Sequence, residues 1–463
     1  METKRSNFSG KLGFILAAAG SAVGLGNIWR FPYLAAQYGG GIFLLVYLIL
    51  AVTFGFALMC AEIAIGRKTG QSAVNAFSRL DKRFGFIGVL GSIVPILILP
   101  YYCVIGGWVI KYLAVFVSGD MVNAASNVAL DGQIMSYFEA FIAQPVEPIG
   151  WFLLFLGATA LIVLLGVEKG IEKVSKILMP VLVLLTLGIA IYCMFIDGAW
   201  GGVIYYIKPD FSKLSVNTVL AAMGQLFYSM SLAMGIMITY GSYMKKDVSI
   251  EKSVRSIELF DTGIAFLAGL MIIPSVYAFS GGDESAMGKG PGLMFITLPK
   301  VFESIDPVIG AIIGSAFFIL VLLAALTSSI SLMETVVSIF RDKFGWNRTF
   351  TCIIVLLLCV ALGLPSCFGF NIIDTFHIGK MDMSVLDIFD FTTNSIIMPI
   401  VALLTCIFIG YVLKPKAICD EISITGKFKS QRLFEIMIKY VAPVCIVLIL
   451  VFSTLEGLGF IKI

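Results

Sequence analysis

Gly20-Ser-Ala-Val-Gly-Leu-Gly-Asn-Ile-Trp-Arg-Phe-Pro32 lies inside a run, 11–38, that is otherwise apolar enough to cross a membrane. Glycine and proline both weaken a helix. An arginine near mid-bilayer costs about 3 kcal/mol or more. A passive anchor gains nothing from such residues. Irregular backbone at that depth persists only where protein buries it or where it lines a cavity. A helix broken there frees carbonyls and amides to bind small ions and zwitterions.

The rest of the chain is a membrane sequence. Of 463 residues, 59% are hydrophobic and 13% charged, and the mean hydropathy is +0.99. Soluble domains carry about 25% charged residues. Residues 1–11 run into the first apolar segment without a small-residue cleavage site, so that segment is expected to be retained. Apolar runs fall at 11–38, 41–66, 84–117, 149–167, 174–197, 216–241, 256–281, 307–340, 349–365, 391–413 and 435–456, which makes 11 expected spans.

Placing Met1 in the cytoplasm puts 24 of the 32 Lys and Arg residues on that side. Six remain outside: Lys208, Lys213, Lys289, Lys300, Lys380 and Lys462. This asymmetry predicts a cytoplasmic N-terminus and an external C-terminus. The net charge of +3 identifies no partner. The nine cysteines fall mostly within spans and outline no disulfide framework. A single histidine, His377, leaves no cluster for a metal enzyme. No nucleophile–base pair or phosphate loop stands out, so an enzyme is not expected.

The anomaly of the first span recurs in the sixth. Gln225-Leu-Phe-Tyr-Ser-Met-Ser-Leu-Ala-Met-Gly235 sets an amide, hydroxyls and a glycine at mid-membrane depth. Two interrupted spans five apart enter the membrane from opposite sides. That is the arrangement of an inverted five-helix repeat with a site where the breaks meet. The expected fold is an all-α integral membrane protein, with spans 1–5 and 6–10 as the repeats. The expected divisions are a first repeat over 1–197, an extracellular connection over 198–215, a second repeat over 216–413, and a cytoplasmic loop with the eleventh span over 414–463.

These residues resemble the neurotransmitter:sodium symporter family, in its bacterial amino-acid branch. The likeness runs from Arg5 to about Lys439. It is carried by residues 20–32, Gly39-Gly-Gly-Ile-Phe43, Lys169-Gly-Ile-Glu-Lys173, residues 225–235 and Leu326-Thr-Ser-Ser329. Many members have 12 spans, so a dimer contact through a last helix is not assumed, and a monomer or weak homodimer is expected.

The resemblance implies two sodium sites. The first would use the Ala22 carbonyl, Asn27, Ser229 and Asp261, completed by the substrate carboxylate. The second would use the carbonyls of Gly20, Val23 and Ala324 with the hydroxyls of Thr327 and Ser328. Taken alone, Thr327 and Ser328 could equally bond back to their own helix. In Glu258-Leu-Phe-Asp-Thr-Gly-Ile-Ala265, Asp261 stands where chloride-dependent relatives have Asn, and Ala265 where they have Ser. A fixed carboxylate near sodium would replace chloride, so no chloride requirement is expected.

The implied substrate pocket comprises Ala22, Gly24, Leu25, Gly26, Ile98, Tyr102, Tyr228, Ser229, Ser231, Met234, Ser328 and Leu332. Monoamine-carrying relatives have Asp at the position of Gly24. Glycine there implies a substrate that brings its own carboxylate, with Tyr102 as a donor to it. Ile98, Tyr228, Met234 and Leu332 would form an apolar compartment suited to a hydrophobic or aromatic L-amino acid, although some of these residues could merely pack helices. Arg30 and Asp390, with Gln225 holding Arg30, would form the outer gate. Arg5 and Asp342, with Tyr243 nearby, would close the cytoplasmic side, unless Arg5 is only a topological anchor. Glu62 and Glu334 receive no role.

The sequence therefore points to sodium-coupled uptake across a bacterial cell membrane by alternating access. The expected partners are an amino acid and membrane lipid, with no nucleic acid. Transport of small neutral amino acids and a non-transporting amino-acid sensor remain alternatives.

Overall fold

The computed structural model describes residues 7–130, 133–282 and 291–460. Arg5, expected at the cytoplasmic gate, lies outside the described residues, as do Lys4, Lys289 and Lys462 of the charge count. Nine described helices are long and apolar enough to cross a membrane: Gly41–Thr69, Lys82–Ser118, Glu147–Leu164, Val167–Met194, Ile250–Phe279, Val308–Phe344, Arg348–Phe368, Val385–Leu413 and Gln431–Gly457. A tenth is the pair Lys11–Ala22 and Gly26–Gln37, bent by 54°. The segment 216–242 is two shorter helices, Val216–Ser229 and Ile236–Ser242, separated by non-helical residues.

Both interruptions fall where the sequence puts them. Helix Lys11–Ala22 ends because Val23 turns extended, with φ −74° and ψ 104°. In the second break Ser231 and Ala233 adopt left-handed φ values of 52° and 59°, followed by Gly235 at 72°. Left-handed backbone is disfavoured for residues with a Cβ, so Ser231 and Ala233 persist only because neighbours hold them. Elsewhere local chemistry sets the ends. Ser215 Oγ accepts the Thr218 amide at 3.1 Å to start Val216–Ser229, and Asp306 caps the helix that follows it. Prolines 95, 100, 180, 274 and 365 lie inside helices. Neighbouring helices make such interior prolines tolerable in membranes.

Two features depart from an all-helical reading. Residues 127–136 contain an antiparallel pair, β1 (Asn127–Leu130) and β2 (Gln133–Ser136), and residues 376–383 a second, β3 (Phe376–Ile378) and β4 (Met381–Met383). Strands of three or four residues are too short for a period-of-two pattern to stand out against their surroundings. The connection 198–215 is also structured, with a helix Ala199–Ile207 ahead of a turn at Phe211–Lys213.

At the Lys/Arg-rich end, a buried ion pair ties distant segments together. Arg67 Nε meets Glu421 Oε1 at 2.8 Å, its Nη1 donates to the Val248 carbonyl at 2.7 Å, and its Nη2 donates to the Glu421 carbonyl. Lys246 adds a second cation to Glu421 at 2.6 Å. Removing one partner of a buried pair leaves the other charge uncompensated. Glu421→Leu is therefore expected to destabilise the protein by about 3 kcal/mol. In the double variant Arg67→Met/Glu421→Leu most of that loss should be recovered, as read by thermal unfolding of detergent-purified protein. Equal losses in both variants would mean that charge compensation is not the contribution of this pair.

Candidate functional site

The two breaks face each other around a small cavity of ≈ 30 Å³. All twelve residues expected at the substrate pocket line it, and so do Ser21, Asn27 and Ile236. Ser21 and Ile236 were not anticipated, although each sits beside a break.

Unpaired peptide groups at the breaks are met by side chains from elsewhere. The Gly24 amide donates to Asn27 Oδ1 at 3.0 Å, and the Leu25 amide lies 3.4 Å from the Tyr102 hydroxyl. Gln225 Nε2 donates to the Gly26 carbonyl at 2.9 Å. Ser231 Oγ donates to the Ser21 carbonyl at 3.0 Å, joining the two breaks directly. Glu62 Oε1 accepts the Ala233 amide at 2.7 Å. Glu62 thus buttresses the strained second break, a contact that no local spacing in the sequence reveals.

Asn27, Ser229 and Asp261 converge in a fully buried cluster. Asp261 Oδ1 accepts from Asn27 Nδ2 at 2.8 Å and from Ser229 Oγ at 2.7 Å, while Asn27 Nδ2 and Ser229 Oγ are 3.0 Å apart. Tyr47 donates its hydroxyl to Asp261 Oδ2 at 3.2 Å. Tyr47 escaped the sequence reading because its helix is apolar throughout and its hydroxyl finds a partner only through packing. The oxygens gathered here, with the Ala22 peptide lining the adjacent cavity, make a donor set suited to a hard monovalent cation. Among the described residues no group of three or more His, Cys, Asp or Glu side chains could hold a metal ion.

Of the second expected ion set, Ser328 bridges to the first break while Thr327 bonds back to its own helix. Ser328 Oγ reaches across to the carbonyls of Gly20, Ser21 and Val23 at 3.4, 3.2 and 3.2 Å. Thr327 Oγ1 bonds within its own helix, to the Leu323 and Ala324 carbonyls at 3.1 Å each. Helix Pro307–Phe344 approaches the first break closely here: a Cβ on Gly20 would sit 3.2 Å from Thr327 Cβ.

The gate residues are arranged differently from the expectation. Arg30 lies over the Tyr228 ring at 5.3 Å. Asp390 Oδ1 accepts from Tyr101 at 3.0 Å and from Asn394 at 2.6 Å. Arg30 and Asp390 are not bonded to each other, and Gln225 serves the Gly26 carbonyl rather than Arg30. Asn394 stands one helical turn after Asp390, a spacing legible in the sequence; Tyr101 comes from another helix and was not.

The Lys/Arg-rich end is packed shut. Asp342 Oδ2 accepts from the Ser72 amide at 2.7 Å and from Ser72 Oγ at 2.6 Å. Tyr243 donates to Glu334 Oε1 at 2.7 Å, and Glu334 is in turn paired with Arg348. Phe8 is buried edge-on against Phe14, Tyr240 and Tyr243, and Glu172 holds the amide of Ser9 at 2.8 Å.

Removing the Glu62 acceptor tests what holds the second break. Glu62→Leu should leave the Ala233 amide buried without a partner, costing about 2 kcal/mol. Glu62→Gln keeps an acceptor and should cost less. Thermal unfolding, with hydrogen exchange of residues 230–235, reads the difference; equal losses would remove Glu62 from this role.

Comparison with known proteins follows the same lines. The sequence matches the sodium:neurotransmitter symporter family over residues 5–131 and 142–458. It is 33% identical to an uncharacterized sodium-dependent transporter of Bacillus subtilis, YhdH, over 99% of each chain. It is 32% identical to an uncharacterized sodium-dependent transporter of Haemophilus influenzae, over 97% of this chain and 98% of the relative. The fold superposes on the crystal structure of MhsT in complex with L-phenylalanine with a TM-score of 0.84 and 38% identity, covering 97% of this chain and 100% of MhsT. A helical membrane fold broken at a polar cavity, and a match along nearly its whole length, place the chain in the sodium:neurotransmitter symporter family of sodium-coupled membrane transporters.

Proposed function

We propose that this transporter carries hydrophobic or aromatic L-amino acids into the cell, using two sodium ions and no chloride. The observation that carries the proposal is the cavity between the breaks, lined by Tyr102, Ser231 and Ser328 as well as by Ile98, Met234 and Leu332. Gly24 brings no carboxylate to it, and a Cβ there would lie 2.7 Å from Ser328 Oγ and 3.1 Å from the Tyr102 hydroxyl. The substrate carboxylate would meet the peptide amides of the first break, Tyr102, and a sodium ion held by Asn27, Ser229, Asp261 and the Ala22 carbonyl. The amino group would meet the second break and Ser231. Ile98, Tyr228, Met234 and Leu332 would enclose the side chain. A flexible thioether such as Met234 can repack around substrates of different shape. MhsT, solved with L-phenylalanine, supports the choice of substrate class.

The second ion would lie among the carbonyls of Gly20, Val23 and Ala324 and the hydroxyls of Thr327 and Ser328. Thr327 would then turn from its own helix carbonyls to the ion. Asp261 would supply the negative charge that chloride brings to other transporters. We take the chain to have 11 spans in an inverted five-helix repeat over 1–197 and 216–413, with the Lys/Arg-rich end cytoplasmic. In that orientation Arg30, Tyr228, Tyr101 and Asp390 form the outer gate. Asp342, Tyr243 and Arg5 lie on the cytoplasmic side.

The energetics suit accumulation. One charge moving inward through 100 mV yields about 2.3 kcal/mol, and a tenfold sodium gradient adds about 1.4 kcal/mol per ion. Two ions with a neutral zwitterion then supply roughly 7 kcal/mol, about five decades of concentration at full coupling. The shared carboxylate couples substrate to sodium, because each completes the other's site.

Uptake of labelled L-phenylalanine into proteoliposomes tests the proposal. It should require external sodium, persist when gluconate replaces chloride, and be competed by large apolar amino acids more than by glycine or alanine. Asp261→Ser should lower uptake, and added chloride should restore part of it. Met234 and Leu332 substitutions should change the competition order while sodium binding remains. Sodium-independent uptake, or full chloride-free activity of Asp261→Ser, would refute the ion assignment. Binding without uptake would favour a sensor.

A further inference from the structure

Gly379, Gly457 and Gly459 meet in one knot at the outer face. Gly379 and Lys380 form the turn of the β3–β4 hairpin, with Gly379 at φ +64°. The Lys380 amide donates to the Leu458 carbonyl at 2.8 Å, just beyond helix Ala442–Gly457, and its ammonium lies 5.0 Å from the Phe460 ring centre. A Cβ on Gly379 would sit 2.6 Å from the Leu458 carbonyl oxygen. A Cβ on Gly459, at φ +74°, would sit 2.9 Å from Met381 Cγ, and one on Gly457 would enter the space of the Phe391 ring. Hairpin, helix end and Phe391 therefore interlock without room for a methyl group.

Phe391 directly follows Asp390. Helix Ala442–Gly457 packs on the turn Phe391–Ile397 and also on Val216–Ser229, the outer half of the second broken segment. One point of contact thus touches both the segment that carries Asp390 and the one that carries Tyr228, the ring under Arg30.

We propose that this knot positions the outer gate: by fixing Phe391 it sets the place of the Asp390 carboxylate relative to Tyr101 and Arg30. The inference rests on the reading of Arg30 and Asp390 as that gate. The three glycines line neither the cavity nor the ion donor sets, so they are positioning residues acting through Phe391. A misplacement of about 1 Å in such a constellation is enough to matter.

Gly457→Ala forces a methyl group onto the Phe391 ring. In proteoliposomes it should raise the KM for external substrate about fivefold, with the sodium dependence unchanged. Phe391→Leu in the same chain should restore KM by vacating that space, whereas a general loss of stability would not be rescued. Gly379→Ala, in an exposed turn, should shift KM in the same direction. On an Asp390→Asn background neither glycine substitution should add a further shift. Unchanged KM in both Gly379→Ala and Gly457→Ala, or effects that multiply with Asp390→Asn, would overturn the knot's role while leaving the gate intact. Unchanged KM in Asp390→Asn alone would instead remove the gate reading itself.

Discussion

Unpaired peptide groups in an apolar environment are the constraint around which this protein is built. A helix satisfies its own backbone, so each of the two breaks exposes amides and carbonyls where water cannot serve them. An unsatisfied buried polar group costs a few kcal/mol, and only nearby donors and acceptors offset it. Asn27, Tyr102, Gln225, Ser231, Ser328 and Glu62 supply them, and they come from five separate parts of the chain. The breaks therefore hold the surrounding helices in register as much as the helices hold the breaks. The site proposed for ions and a zwitterion uses the same groups, because carbonyls and amides that need partners can take them from a ligand.

Burial of Asp261 in this setting has the same logic in electrostatic form. A carboxylate with no exposure to solvent is expensive unless it is paired or hydrogen-bonded. Here Asn27, Ser229 and Tyr47 donate to it, and among the described residues no basic side chain is hydrogen-bonded to it. Such a cluster is incomplete as an anion site and well suited to receiving a cation. Where other members bring an anion from solution, a carboxylate fixed in the chain makes that anion unnecessary in the proposed mechanism.

The two ends of the cavity differ. Toward the Lys/Arg-rich face, Phe8, Tyr240, Tyr243, Glu334 and Arg348 close a layered plug. Toward the other face, Arg30 and Asp390 stand on separate partners, Tyr228 for one and Tyr101 with Asn394 for the other. The proposed alternating access would need this inequality, since only one barrier at a time could be open. Changing which barrier is closed is then a matter of rearranging contacts between packed helices, with the ions and substrate contributing whatever they bind more tightly in one arrangement.

The amino-acid sequence by itself determined the membrane class and the location of both breaks, and both rest on short-range physics: hydropathy over a span, glycine and proline within a helix, polar groups at forbidden depth. Twelve of the residues that line the cavity came instead from the resemblance to a transporter family, and Ser21 and Ile236 came from neither. The helices Gly85–Ser118 and Ile250–Phe279 follow from their apolar runs for the same reason. Tertiary structure alone decided which side chain meets which peptide group. Glu62 on Ala233, Tyr47 on Asp261, Tyr101 on Asp390 and Gln225 on Gly26 join residues 171 to 289 positions apart. The short hairpins at 127–136 and 376–383 belong to this second class, because three or four residues carry too little pattern to declare a strand until something packs against them. Hydropathy and helix breaking act on a residue and its neighbours and are written in order along the chain; hydrogen bonds across a packed interior depend on distances that only folding creates.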